Sequence, residues 1–228
     1  MTVEAKQAIE SANVIVGYKT YVKLVEALIK PNVEVFSGIM GKEVDRARAA
    51  VAKALEGKSV AVISSGDPGV YGMAGIILEV ADRENAEIPI EIIPGVTAAT
   101  AAASRLGAPL VTDFAVISLS DLLTPWKSIE KRLHAASEAD FVIVLYNPQS
   151  EGRKDPLAKA YEILLKYKKP ETPVGIVRQA GRKGEEALII TLKELLNCEV
   201  DMATTIIVGN STTRVFGKRL ITPRGYDI

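Results

Sequence analysis

Short apolar runs alternate with longer amphipathic stretches along most of the chain, and this alternation constrains the fold more than any single residue. An apolar run of strand length followed by a helical repeat buries its surface most readily as a βα unit of a parallel sheet. Residues 14–17, 33–36, 59–63 and 88–93 read as strands. Residues 2–11, 21–29, 42–55, 71–82 and 97–106 read as helices, with Thr2 placed to cap the first and Gly57 and Gly107 placed to end two others. Residues 1–112 are therefore expected to form an α/β domain with a mostly parallel sheet, and 107–113 is the expected boundary.

A second set follows: strands at 114–118, 141–146 and 173–178, with helices at 125–137 and 155–167. Beyond Gly181 and Gly184 the apolar runs 188–191 and 204–208 are joined by short connections, which points to antiparallel pairs in a mixed sheet. Residues 113–228 are the expected second α/β domain. Without a long linker, the two domains should pack tightly with a cleft between them.

Composition removes several function classes. Lys and Arg number 28 and so do Asp and Glu, so no global field draws the chain to nucleic acid or an anionic membrane. A lone cysteine, Cys198, rules out a disulfide framework and a cysteine-built metal site. A lone histidine, His134, rules out a multi-histidine metal centre, and its neighbours Lys131 and Arg132 mark a solvated helix face. No metal site is expected. The chain has no run of ~20 apolar residues and no basic-plus-apolar start, so a soluble cytoplasmic protein is the expectation.

Four loops stand at the carboxyl ends of expected strands, where open α/β sheets bind ligands. They are residues 64–72 (Ser-Ser-Gly-Asp-Pro-Gly-Val-Tyr-Gly), 93–97 (Ile-Pro-Gly-Val-Thr), 145–148 (Leu-Tyr-Asn-Pro) and 178–182 (Arg-Gln-Ala-Gly-Arg). Each alone is ordinary turn chemistry. Together they describe a pocket that grips a polar molecule through backbone groups. The glycines of 66–72 are three apart, unlike the dinucleotide fingerprint, and Gly41-Lys42 is followed by Glu43, which would oppose a triphosphate.

The segments Ser64–Ala74 and Ile93–Ala98 resemble the tetrapyrrole methylase family. The stretches 16–21 (Val-Gly-Tyr-Lys-Thr-Tyr), 38–43 (Gly-Ile-Met-Gly-Lys-Glu), Tyr146-Asn147-Pro148 with Arg153, 208–211 and 221–226 are similar to the branch acting on precorrin-3B or its cobalt-factor III counterpart. The resemblance implies two α/β domains with S-adenosylmethionine in the cleft between them. It implies methyl transfer to C17 of the macrocycle with ring contraction in cobalamin synthesis. By the same resemblance Ser65, Gly66, Asp67, Val70, Thr97, Ala98, Tyr146, Asn147, Ala180 and Thr204 hold the cofactor, Asp67 accepting from its ribose hydroxyls or amino group. Tyr18 and Lys19 stand where a relative places its acid/base pair, though the residue types differ.

The substrate that the resemblance implies is a polycarboxylate, so cations in or beside the motifs are expected to bind it: Lys42, Arg153, Arg178, Arg182, Arg214 and Arg224. The partners the resemblance implies are that tetrapyrrole and a second copy of the chain, as a homodimer. Family members usually begin with a strand and a Gly-x-Gly-Pro-Gly loop, whereas this chain starts Met1-Thr2-Val3-Glu4. The first N-terminal strand is therefore expected to be missing. Two other readings are open: a methylase acting on a different acceptor carbon, and a cofactor- or tetrapyrrole-binding protein without turnover.

Overall fold

The computed structural model describes residues 1–149 and 155–227, which fall into two units, Met1–Thr97 and Ala98–Ile228. In the first unit Thr2 caps α1 (Val3–Ser11) by accepting the Ala5 N–H at 3.2 Å. β1 (Val14–Tyr18), a nearly continuous buried run, forms the middle of a parallel sheet ordered β2-β1-β3, with β2 at Glu34–Gly38 and β3 at Val60–Ile63. α2 (Lys19–Lys23) follows β1, α3 (Glu43–Leu55) follows β2, and α4 (Ala74–Arg83) follows β3. α3 and α4 bury Ala47, Ala50, Val51, Ile77 and Val80 against Val14 and Val16.

Two expectations for this unit need correction. The helix at 21–29 breaks after Lys23 and resumes as a 3-10 turn at Glu26–Leu28. Val22 and Val25 enter the same apolar cluster, and the tighter turn suits their three-residue spacing. Residues 88–93 form no strand. Ile88 and Ile90 pack beside α3 and α4, so the apolar alternation is used. Among the described residues, however, β3 pairs only with β1. A strand exists only where a neighbour takes its backbone hydrogen bonds, and alternation cannot supply one.

The second unit opens with α5 (Ala98–Leu106) and continues through β4 (Gly107–Ala108), β5 (Phe114–Ser118), α6 (Trp126–Glu138), β6 (Val142–Tyr146), α7 (Asp155–Leu164), β7 (Pro173–Arg178), β8 (Glu186–Thr191), β9 (Thr204–Val208), β10 (Arg214–Phe216) and β11 (Arg219–Ile221). Its main sheet runs β5-β6-β9-β7-β8, with β5 and β6 parallel and the other pairs antiparallel. This is the mixed sheet the short connections predict. One face packs on α6 and α7 through Ile129, Leu133, Ile143 and Leu164. The other packs on α5 through Ala99, Ala102, Leu106, Val177 and Ile207.

The packing of α5 moves the boundary from 112/113 to 97/98. A Cβ on Gly175 would lie 2.3 Å from Leu106 Cδ1, so the bare strand surface is what seats the helix. The residues expected to separate the domains instead join the second one, as β4 pairs with β11.

Candidate functional site

In the first unit the parallel strands bring Tyr18, Gly38 and Ile63 to one edge of the sheet, and the loops leaving β2 and β3 start there. The loop at 64–72 is locked to the segment at 94–97 by one carboxylate. Asp67 accepts the Gly69 N–H through Oδ1 at 2.8 Å and the Gly95 N–H through Oδ2 at 2.9 Å. A Cβ on Gly95 would stand 2.0 Å from the Gly66 carbonyl oxygen, so only glycine permits this approach. Ser64 Oγ accepts the Met73 N–H at 3.3 Å, and the Pro68 carbonyl accepts the Ala74 N–H at 3.0 Å where α4 begins. Tyr71 is held at a φ of 54°, a conformation that non-glycine residues rarely keep without a reason.

Both Asp67 oxygens thus fix backbone, which makes it first a positioning residue and only through remaining lone pairs an acceptor. Gly66 and Val70 are exposed on the locked loop, while Ser65 and Thr97 are half-buried. Tyr18 ends β1 half-buried, with its ring edge-on to Tyr21 at 5.1 Å, and Lys19 opens α2 exposed. Lys42 is exposed and lies 3.4 Å from Asp45.

The second unit builds its edge differently. Tyr146 ends β6, Arg178 ends β7, and Thr204 begins the antiparallel β9, so all three come to one side of the sheet. The Tyr146 hydroxyl accepts the Ala99 N–H at 2.6 Å, a buried bond that satisfies an orphan amide in the first turn of α5. Asn147 and Gln179, each directly after a strand, sit at φ of 51° and 52°. Asn147 Nδ2 donates to Ser118 Oγ at 2.9 Å. Thr204 is buried and donates to Asp201 Oδ1 at 2.7 Å.

Glu185 clamps the turn that carries Ala180. Its carboxylate accepts the Gly181 N–H and meets Arg105 Nε at 2.8 Å. The Gly181 amide first, and Arg105 second, hold this carboxyl below the usual carboxylate range.

The expected substrate cations described in the second unit stand on different elements. Arg178 already faces Asp201 at 3.3 Å and Glu186 at 3.7 Å, so much of its charge is spent. It also lines a cavity of about 760 Å³ with Gln149, Cys198 and Asp201. Burial pushes the Cys198 thiol up, which leaves it a poor nucleophile. Arg182 lies in the Glu185-clamped turn, half-buried, its N–H donating to the Gln179 carbonyl at 2.9 Å. Arg214 opens β10, on the hairpin paired to β4, and Arg224 is exposed beyond β11. Arg153 lies outside the described residues.

Sequence reasoning missed Arg46, Glu185 and Asp201. Arg46 left a trace, because it stands on the stripe of α3 that otherwise buries Ala47, Ala50 and Val51. Glu185 and Asp201 left none, since their partners are fixed only by folding.

The fold and these loops define a class. The family model of the Tetrapyrrole (Corrin/Porphyrin) Methylases matches residues 1–196, and the chain belongs to that family. Among relatives it is 51% identical, over 100% of its own length and 94% of the other, to the probable cobalt-factor III C(17)-methyltransferase of Salmonella typhimurium. It is 39% identical to a precorrin-3B C(17)-methyltransferase from a Sinorhizobium species, over 99% of this chain and 91% of that one. The crystal structure of the methyltransferase CobJ superposes with a TM-score of 0.91 at 36% identity, covering 98% of this chain and 93% of that chain.

Proposed function

We propose that this chain transfers a methyl group from S-adenosylmethionine to C17 of cobalt-factor III, with contraction of the ring, in cobalamin biosynthesis. The observation that carries the reading is the locked pair of loops at 64–72 and 94–97, held by Asp67 and by the bare backbone of Gly95. Cobalt-factor III is preferred over metal-free precorrin-3B because identity to the relative named for the cobalt compound is 51% against 39%. The cobalt then belongs to the substrate.

The residues present suit the cofactor. Gly66, exposed and at a φ of 71°, turns the loop without a side chain in the way, Ala180 leaves room for a flat base, and Tyr146 fixes the chain beside Ala98. Ser65, Val70 and Thr97 of the first unit and Asn147 and Thr204 of the second complete the set. S-adenosylmethionine, when bound, supplies a methyl group already activated on a sulfonium. What remains for the protein is to align the acceptor carbon, and positioning of this kind lowers barriers strongly. Tyr18 and Lys19, at the end of β1, are assigned proton handling at the macrocycle. Lys42, Arg178 and Arg182 are assigned its carboxylates, with Lys42 already facing Asp45, and Arg178 already facing Asp201 and Glu186.

The working form is a cytoplasmic homodimer. Exposed Leu122, Leu123, Val215 and Phe216 supply apolar surface for self-association, which sedimentation tests. Among the described residues no helix is long and apolar enough to cross a membrane. The reaction is tested by incubating the protein anaerobically with S-adenosylmethionine and cobalt-factor III and following mass and absorption. The expected result is a product heavier by one methyl group; cofactor binding without mass gain would assign a binding protein. A parallel arm with precorrin-3B decides the substrate form.

A further inference from the structure

Arg46 is buried at 7% exposure, and its fork reaches out of α3 to the loop that leaves β2. Nη1 donates to the Ile39 carbonyl at 2.6 Å, and Nη2 donates to Glu43 Oε1 at 2.9 Å. The same Glu43 oxygen accepts the Gly41 N–H at 3.2 Å. A Cβ on Gly38 would lie 3.3 to 3.4 Å from the Arg46 side chain, so the guanidinium stem lies directly on that strand end. Gly41 takes a φ of 81°, which completes a tight turn. The loop is therefore built, not slack.

What the loop displays is unusual for so fixed a segment. Ile39 is 68% exposed and Met40 56%, side by side, with the exposed cation Lys42 two residues on. Scattered exposed apolar side chains need no explanation. Burying a guanidinium, however, is costly, and holding two apolar side chains in water gains nothing for the fold. Register places the loop beside the proposed reacting edge, since Gly38 pairs with Tyr18 across β1 and β2. An apolar pair followed by a cation matches a flat conjugated ring with an anionic rim, and a methionine sulfur packs well on such a face.

We propose that residues 39 and 40 form a preformed apolar ledge for one face of the tetrapyrrole, and that Arg46 is the positioning residue that holds it. This rests on the reaction proposed above. The double variant Ile39→Ala/Met40→Ala changes only exposed side chains and should leave the fold intact. Its KM for cobalt-factor III should rise about tenfold, the scale of losing a few methylene contacts, with kcat nearly unchanged. Arg46→Lys keeps the charge but loses the fork, and should raise KM similarly. In both variants the affinity for S-adenosylhomocysteine by calorimetry should stay as in the unchanged protein.

An unchanged KM in the double variant overturns the ledge. So does an Arg46→Lys protein whose S-adenosylhomocysteine affinity falls in step with its KM, because that marks general loosening. The functional reading fails separately, on absent turnover by the unchanged protein. In that event the ledge is judged by titrating cobalt-factor III by absorption: weaker binding to the double variant supports it, and equal binding overturns it.

Discussion

The two units fix the loops at their sheet edges by different means. The first relies on missing side chains and one carboxylate: Gly95 passes against Gly66, and Asp67 ties the two loops by their amides. The second relies on side chains that hold an awkward backbone, with Asn147 and Gln179 at positive φ, Tyr146 on the start of α5 and Glu185 on the following turn. The supporting sheets differ in width. Among the described residues the second is five strands wide and the first three, with β3 paired on one side, and both carry apolar clusters on their two faces. Both carry strained loop residues, Tyr71 in the first and Asn147 and Gln179 in the second, so the difference lies in how the neighbouring backbone is held.

That contrast is broken most sharply at Gly95. Gly95→Ala must push the Gly66 carbonyl aside, at a cost of about 1–3 kcal/mol, and should weaken S-adenosylhomocysteine binding by up to about a hundredfold in calorimetry. Near-normal affinity would show that the two loops need not touch. Asp67→Asn comes next. Its amide group turns a donor toward one of two backbone donors, so a loss of about 1–3 kcal/mol and a tenfold or greater rise in Kd are expected. An unchanged Kd would remove Asp67 from the site altogether.

Tyr146→Phe should act on stability more than on the first unit's loops. It leaves the buried Ala99 N–H without its acceptor, at about 1–3 kcal/mol, which lowers Tm by several degrees. A Tm within a degree of the unchanged protein would mean that the cap is dispensable. The smallest effect is expected from acid. Glu185 binds fewer protons folded than unfolded, because Gly181 and then Arg105 lower its pKa from the usual 4.5. Its stabilising contribution is complete above pH 4.5 and is lost as pH falls through the lowered value. Glu185→Gln should therefore flatten part of the acid limb of the stability curve, and an identical acid limb in both proteins would refute the clamp.

Much of this was legible in the chain. The apolar runs and caps located β1, β2, β3 and the strands β5 to β9, and the glycine spacing of 66–72 excluded phosphate and dinucleotide loops. Side-chain periodicity is a local property, so it survives being read alone. What a group meets is not local. Residues 88–93 alternate like a strand yet form none, and nothing local to Arg178 announces that Asp201 and Glu186 stand 3.3 and 3.7 Å from it.

By itself the sequence determined the α/β class, the mixed second sheet, the four loops and the family to which they belong. Only the tertiary structure decided that α5 belongs to the second unit, that Asp67 bridges to Gly95 28 residues away, and that Arg46 grips the loop beyond β2. The reason is physical. Pattern fixes which face of an element is buried, whereas the partner of a charge or a backbone amide depends on what folding brings within about 3 Å of it.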